Sequence, residues 1–171
     1  MLQTNMPLMA IAGLIAATCV GVPAAGATVD ALALNGTYRA TSNGDWAQTN
    51  DVYRDEQTVR SVWTISSSCS GAFDCSGTVT SDQGWTAPIA KSSQTWTVEH
   101  QLETWQPCPD GTAAPARQLF RFYPVTKVGR VDIDNESTEY AGTDKTVGRS
   151  GNCGSSRELA INMPFRLEKI A

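Results

Sequence analysis

The chain has 171 residues, a formal net charge of −4 and a single histidine. That length is one domain's worth. An acidic balance with no run of Lys or Arg argues against a nucleic-acid binder and against a protein that lies on anionic membranes. No cofactor motif occurs, and one histidine leaves little material for metal or acid–base chemistry.

From Pro7 to Val22 the chain is almost wholly apolar or small, and Ala25-Gly26-Ala27 follows as a small-x-small site. Residues 1–27 read as a signal peptide cut after Ala27, leaving a single exported domain of residues 28–171 that begins at Thr28. The apolar run is shorter than the about 20 residues of a spanning helix and has no basic flank after it, so no membrane span is expected. The segment before Pro7 lacks Lys and Arg, which is unusual and leaves the true translation start open. Cys19 follows Ala16-Ala17-Thr18, a poor lipobox, so no lipid anchor is expected.

The rest is rich in Thr, Ser, Gly and Trp, without internal repeat, heptad or helical period. Gly36 to Ala40 reads as the first strand, and Trp46 to Tyr53 as either a strand or a loop. Val59, Trp63 and Ile65 mark another strand, and Thr78-Val79-Thr80 a shorter one. Near Gln94 to Trp105, Trp96, Val98, His100 and Leu102 share one face, with Thr97, Glu99, Gln101 and Glu103 on the other. Gln118 to Val125 is β by residue type with both faces partly apolar, so both are expected to be covered. Val131 and Ile133 suggest a strand continuing to Tyr140, and Thr143 to Ser156 a long glycine-bearing loop. The last strand is the clearest: Arg157, Leu159, Ile161, Met163, Phe165 and Leu167 fall on one face. Pro164 on its other face marks an edge or a bulge. Short antiparallel strands at this spacing predict an all-β up-and-down barrel of seven or eight strands, with a β-sandwich as the alternative.

Four cysteines remain after the leader: Cys69, Cys75, Cys108 and Cys153. An even count in an exported domain implies two disulfides and an oxidising compartment. Cys69–Cys75 suits a hairpin clasp and Cys108–Cys153 a tie between long loops; the meander as read above places all four at one rim. Loop-closure entropy assigns about 2.5 kcal/mol to the short loop and about 4 kcal/mol to the long one. A zinc site is disfavoured by the absence of Cys-x-x-Cys spacing and of a well-placed histidine.

Gly36-Thr37-Tyr38, Ser42-Asn43-Gly44-Asp45-Trp46, the Cys69…Cys75 pair and Ser81-Asp82-Gln83-Gly84-Trp85 together resemble a group of small exported proteins of mycobacteria and related actinobacteria. That group carries no assigned activity. The resemblance implies export and a cell-envelope setting, and transfers no catalytic residue.

Candidate chemistry is sparse. His100 would be the base of a hydrolase of the Ser-His-Asp type, but no Gly-x-Ser-x-Gly elbow supplies the nucleophile. Inward among Trp96, Val98 and Leu102, it reads better as a hydrogen-bonded core residue. Arg157 is expected at the rim, where it would be solvated or bind an anion. Asp132, Asp134 and Glu136 alternate like a calcium loop but lack its glycine, and Glu99 and Glu103 lie on the outer face. Trp96 and Trp105 have opposite parity, so one faces outward if their strand is regular. Trp85 sits near a strand end. Exposed indoles there would stack on sugar rings or dock a partner. The candidate ligand residues are therefore Trp85, Trp96, His100, Trp105 and Arg157, with no catalytic or metal residue assigned. Three function classes follow: a non-enzymatic binding or interaction module acting on a protein through its rim, a carrier of a small apolar or sugar ligand in the barrel, and a hydrolase-like enzyme centred on His100. The first is favoured.

Overall fold

The computed structural model describes residues 31–132 and 137–171. Its strands are β1 (Gly36–Ser42), β2 (Gln48–Thr49), β3 (Val52–Tyr53), β4 (Val59–Cys69), β5 (Asp74–Ser81), β6 (Thr86–Ser92), β7 (Thr95–Pro107), β8 (Ala113–Pro124), β9 (Glu139–Gly148) and β10 (Ala160–Lys169). β1 and β4 to β10 pair antiparallel in chain order, and β10 returns to β1 with Ala40 opposite Leu167, closing an eight-stranded barrel. Closure removes the sheet edges and rules out the sandwich. β2 and β3 form a small hairpin added to β10, turned by Asn50 and Asp51 at φ 49° and 66°. Two central residues with positive φ give the strand twist a two-residue hairpin needs.

The period-2 pattern sets what lies inside. Tyr38, Trp63, Ile65, Val79, Ile89, Trp96, Val98, Phe120, Phe122, Phe165 and Leu167 form one buried cluster. Leu34 covers the end of the barrel that carries the β4–β5 turn, its N–H bonded to Ser67 Oγ at 2.8 Å. Gly142 marks a close approach of backbones, since a Cβ there would stand 1.9 Å from the Arg121 carbonyl oxygen. Such a glycine lets a strand bend where a side chain would forbid it.

Several expectations need correction. The stretch Thr86–Ser92 is a full strand, β6, so three strands rather than two separate Cys75 from Cys108. The two disulfides, Cys69–Cys75 and Cys108–Cys153, pair as expected but staple opposite ends of the barrel. The loop foreseen from Thr143 starts later, because β9 runs to Gly148. Arg157 lies exposed in that loop, three residues before β10 begins at Ala160. The outer face of β8 is not covered: Arg121 is exposed and Tyr123 is 37% exposed. Val131 only bridges to Val125, and the strand expected through Ile133, Asp134 and Glu136 falls outside the described residues.

Pro164 sits neither on an edge nor in a bulge. Its carbonyl accepts from Asn43 N–H at 2.8 Å, so its nitrogen faces the gap between β1 and β2. There the missing donor interrupts no ladder.

Replacing Cys108 and Cys153 by Ser is expected to lower unfolding free energy by up to about 4 kcal/mol, against about 2.5 kcal/mol for Cys69 and Cys75. Urea denaturation of the two double variants checks the order.

Candidate functional site

Two arrangements stand out, one inside the barrel and one on its outer face. Inside, β7, β8, β9 and β1 each turn a polar residue inward at the end that carries the Cys108–Cys153 bridge. His100 Nε2 meets Gln118 Oε1 at 2.8 Å. Gln118 Nε2 donates to both Asp144 carboxylate oxygens at 2.8 and 2.9 Å, and Ser42 Oγ donates to Oδ2 at 2.6 Å. With the Gln118 amide so turned, its oxygen needs a donor, which assigns the proton of a neutral His100 to Nε2. Every donor in the string then points towards Asp144.

Asp144 is 1% exposed and has no cation on it among the described residues. Burial pushes its carboxyl up from the usual range, opposed by the hydrogen bonds from Ser42 and Gln118. Burial also lowers His100, against the opposing bonds to Gln118 and Gln101. This is not a catalytic triad. An amide stands between imidazole and carboxylate, and the serine bonds to the acid rather than to the base. At the other end Lys91 is buried over Trp96, its Nζ 5.9 Å from the ring centre and 3.5 Å from the Ala72 carbonyl, and burial lowers its pKa.

The aromatic candidates divide. Trp96 is 1% exposed and enclosed in the core. Trp85 is half-buried, stacked on His100 at 4.2 Å and edge-on to Trp63 at 5.4 Å. Between Leu102 and Gln106, three residues of β7 stand against one of β8, so strict alternation does not carry through to Trp105. Its ring lies half-buried against Gly148. Trp85, His100 and Trp105 thus share one end, with exposed Arg157 in the β9–β10 loop there, while Trp96 lies apart. The space left beside Trp85, Gln118 and Asp144 is about 20 Å³. A carrier would need a few hundred.

The larger cavity is outside. A groove of about 950 Å³ runs over the outer faces of β1, β4, β8, β9 and β10, with Arg39, Arg60, Arg121 and Arg166 in its lining. A second hollow of about 300 Å³ adjoins it, sharing Gly142, Thr143 and Pro164 and bounded by Trp46 and Tyr53. These two rings are 64% and 71% exposed. The sequence reading missed this surface because its arginines come one at a time from four strands, so no linear run of charge announces them. Outward Tyr123 on an apolar-looking strand was the available signal.

No protein-family profile matches the sequence, and no curated protein matches it. The fold is similar to that of the Mycobacterium tuberculosis PknI sensor domain, solved in its monomer form. The TM-score is 0.54 over 81% of this chain and 88% of that one, at 14% identity. At that identity the likeness concerns the fold alone.

The raised carboxyl of Asp144 makes a pH prediction. A group whose folded pKa lies above its unfolded value favours the native state at low pH and loses that contribution as pH rises through the folded value. Wild type is therefore expected to lose stability relative to Asp144→Asn as pH climbs from about 4, the unfolded carboxyl value, towards neutrality. Denaturation of both proteins across that window checks the sign, with His100, coupled through Gln118, replaced by Gln in a parallel pair.

Proposed function

We propose that this chain is an exported binding or sensing module of the cell envelope or its surroundings. It would lose residues 1–27 on export and act through the outside of its barrel, without catalysing a reaction. The observation that carries this reading is the contrast between an interior packed with aromatic side chains, where the hollow beside Trp85 and Asp144 is about 20 Å³, and an open outer groove of about 950 Å³. Two disulfides fit an oxidising compartment. Likeness in fold to a domain described as a sensor is in keeping with binding rather than turnover. The string from His100 to Asp144 serves better as a structural strut, since its imidazole is committed to an amide.

A second surface is favoured by the position of Trp85, Trp105 and Arg157 at the end braced by Cys108–Cys153. That end would be a docking rim for a protein partner, although it carries one of the two disulfides that the sequence placed together at such a rim.

The two surfaces separate by nuclear magnetic resonance. Amide shifts of the folded protein, titrated with a fractionated extract of the source organism's envelope, are expected to move at Thr41, Ala141, Thr143 and Arg166. Movement confined to Trp85, Trp105 and Arg157 would transfer the role to the rim. Movement at the buried His100, Gln118 and Asp144 alone would contradict a module that works from its outer face.

A further inference from the structure

Arg39, Arg60, Arg121 and Arg166 are isolated in the sequence and converge only because their strands lie side by side. On the outer face, Thr41 of β1 stands between Arg60 of β4 and Arg166 of β10, and the same row continues through Ala141 to Tyr123. Neighbouring strands are about 4.8 Å apart, so the Cα atoms of Arg60 and Arg166 are roughly 10 Å apart across a small threonine. Arg121 belongs to the next row, opposite Thr143.

Only Arg39 is matched, by Glu168 at 4.0 Å; Asp45 is the other carboxylate in the lining. Among the described residues no carboxylate stands within ion-pair distance of Arg60, Arg121 or Arg166. Three uncompensated guanidinium groups gathered in one groove repel one another, on a chain whose net charge is −4. That concentration of charge suits an anion.

The remaining lining identifies the kind of anion. Beside the arginines stand hydroxyl and amide groups, from Thr41, Thr58, Thr143 and Asn43, and the adjoining hollow adds the exposed faces of Trp46 and Tyr53. We propose that the groove binds an anionic glycan, its carboxylate or phosphate groups held by Arg60, Arg121 and Arg166 and its sugar faces stacked on Trp46 and Tyr53. This rests on the reading of the outer groove as the working surface. Arginine forks match carboxylate and phosphate oxygens in pairs, and indole and phenol rings supply flat apolar faces with a polar edge. An acidic polypeptide fits less well. The floor of Thr41, Ala141, Gly142 and Thr143 is backbone already paired on both sides, with no deep apolar pocket for an anchoring side chain. A nucleic-acid strand carries a charge at every nucleotide and would run off the groove onto an acidic surface.

The test is calorimetric titration of the folded protein with oligogalacturonate, phosphorylated dextran, neutral dextran, poly-glutamate and a single-stranded oligonucleotide. The two charged glycans separate carboxylate from phosphate recognition. At least one is expected to bind, with neutral dextran failing to do so. Arg60→Gln with Arg166→Gln should weaken that binding by at least about tenfold, the loss of one or two charge-assisted contacts. Arg117→Gln with Arg130→Gln removes the same charge from exposed positions outside the groove and should not. Trp46→Ala should weaken binding without changing its salt dependence. Tighter binding of poly-glutamate or the oligonucleotide, or silence from both charged glycans, overturns the glycan assignment. If poly-glutamate binding is lost in the Arg60/Arg166 double variant, the groove remains the working surface with another ligand. If glycan binding ignores that double variant, both readings fall.

Discussion

The indole of Trp63 lies at the centre of the barrel, and the rest of the interior is arranged around it. Its ring stands 4.9 Å from Phe120, 5.3 Å from Phe165, 5.4 Å from Trp85 and 6.5 Å from Phe122. A small eight-stranded barrel either fills its interior with side chains or leaves room for one small ligand. Here the filling is aromatic, and each such pair adds about 0.5–1.5 kcal/mol beyond the area it buries. The arrangement has a cost. Trp63 Nε1 is buried without a hydrogen-bond partner among the described residues, a loss of about 1–3 kcal/mol that the surrounding packing must exceed.

Filling the inside also prepares the outside. Strand alternation places three of the four groove arginines between two core residues: Arg39 between Tyr38 and Ala40, Arg121 between Phe120 and Phe122, Arg166 between Phe165 and Leu167. The backbone beneath the groove is therefore held by the same rings that close the interior. A surface anchored this way loses less order on binding than a loop would. The polar string from His100 to Ser42 does comparable work at one end, joining β7, β8, β9 and β1 where apolar packing gives out.

Where the inward residues are large and apolar, the fold was legible in the sequence. β7 and β10 alternate Trp, Val, Phe, Met and Leu against charge, and the disulfide partners followed from the order of hairpins. β6 and β9 were hidden for one shared reason. Most of their inward residues are small or polar: Ala87 and Lys91 flank a single large apolar residue, Ile89, in β6, and Gly142, Asp144, Thr146 and Gly148 follow Tyr140 in β9. Such strands read as loops, because the neighbours that tolerate a buried Asp or Lys come from elsewhere in the chain. Missing β6 shifted the cysteine geometry by one strand. Missing β9 concealed Asp144, the most deeply buried charge-bearing group of the site. The bulge in β7 erased the parity argument for Trp105, and the arginine groove exists only once four strands are placed together.

The barrel is filled by side chains inside, and its large hollow lies on the outer face. Benzene or xenon binding, followed by nuclear magnetic resonance on wild type and on Trp63→Ala, tests that filling most directly. Removing the central indole is expected to cost about 3–5 kcal/mol and to open an apolar void that takes up the probe. Wild type is expected to take up none. Saturable uptake of either probe by the wild-type interior would mean that the barrel holds room its aromatic side chains do not fill, and that it is open to small ligands inside.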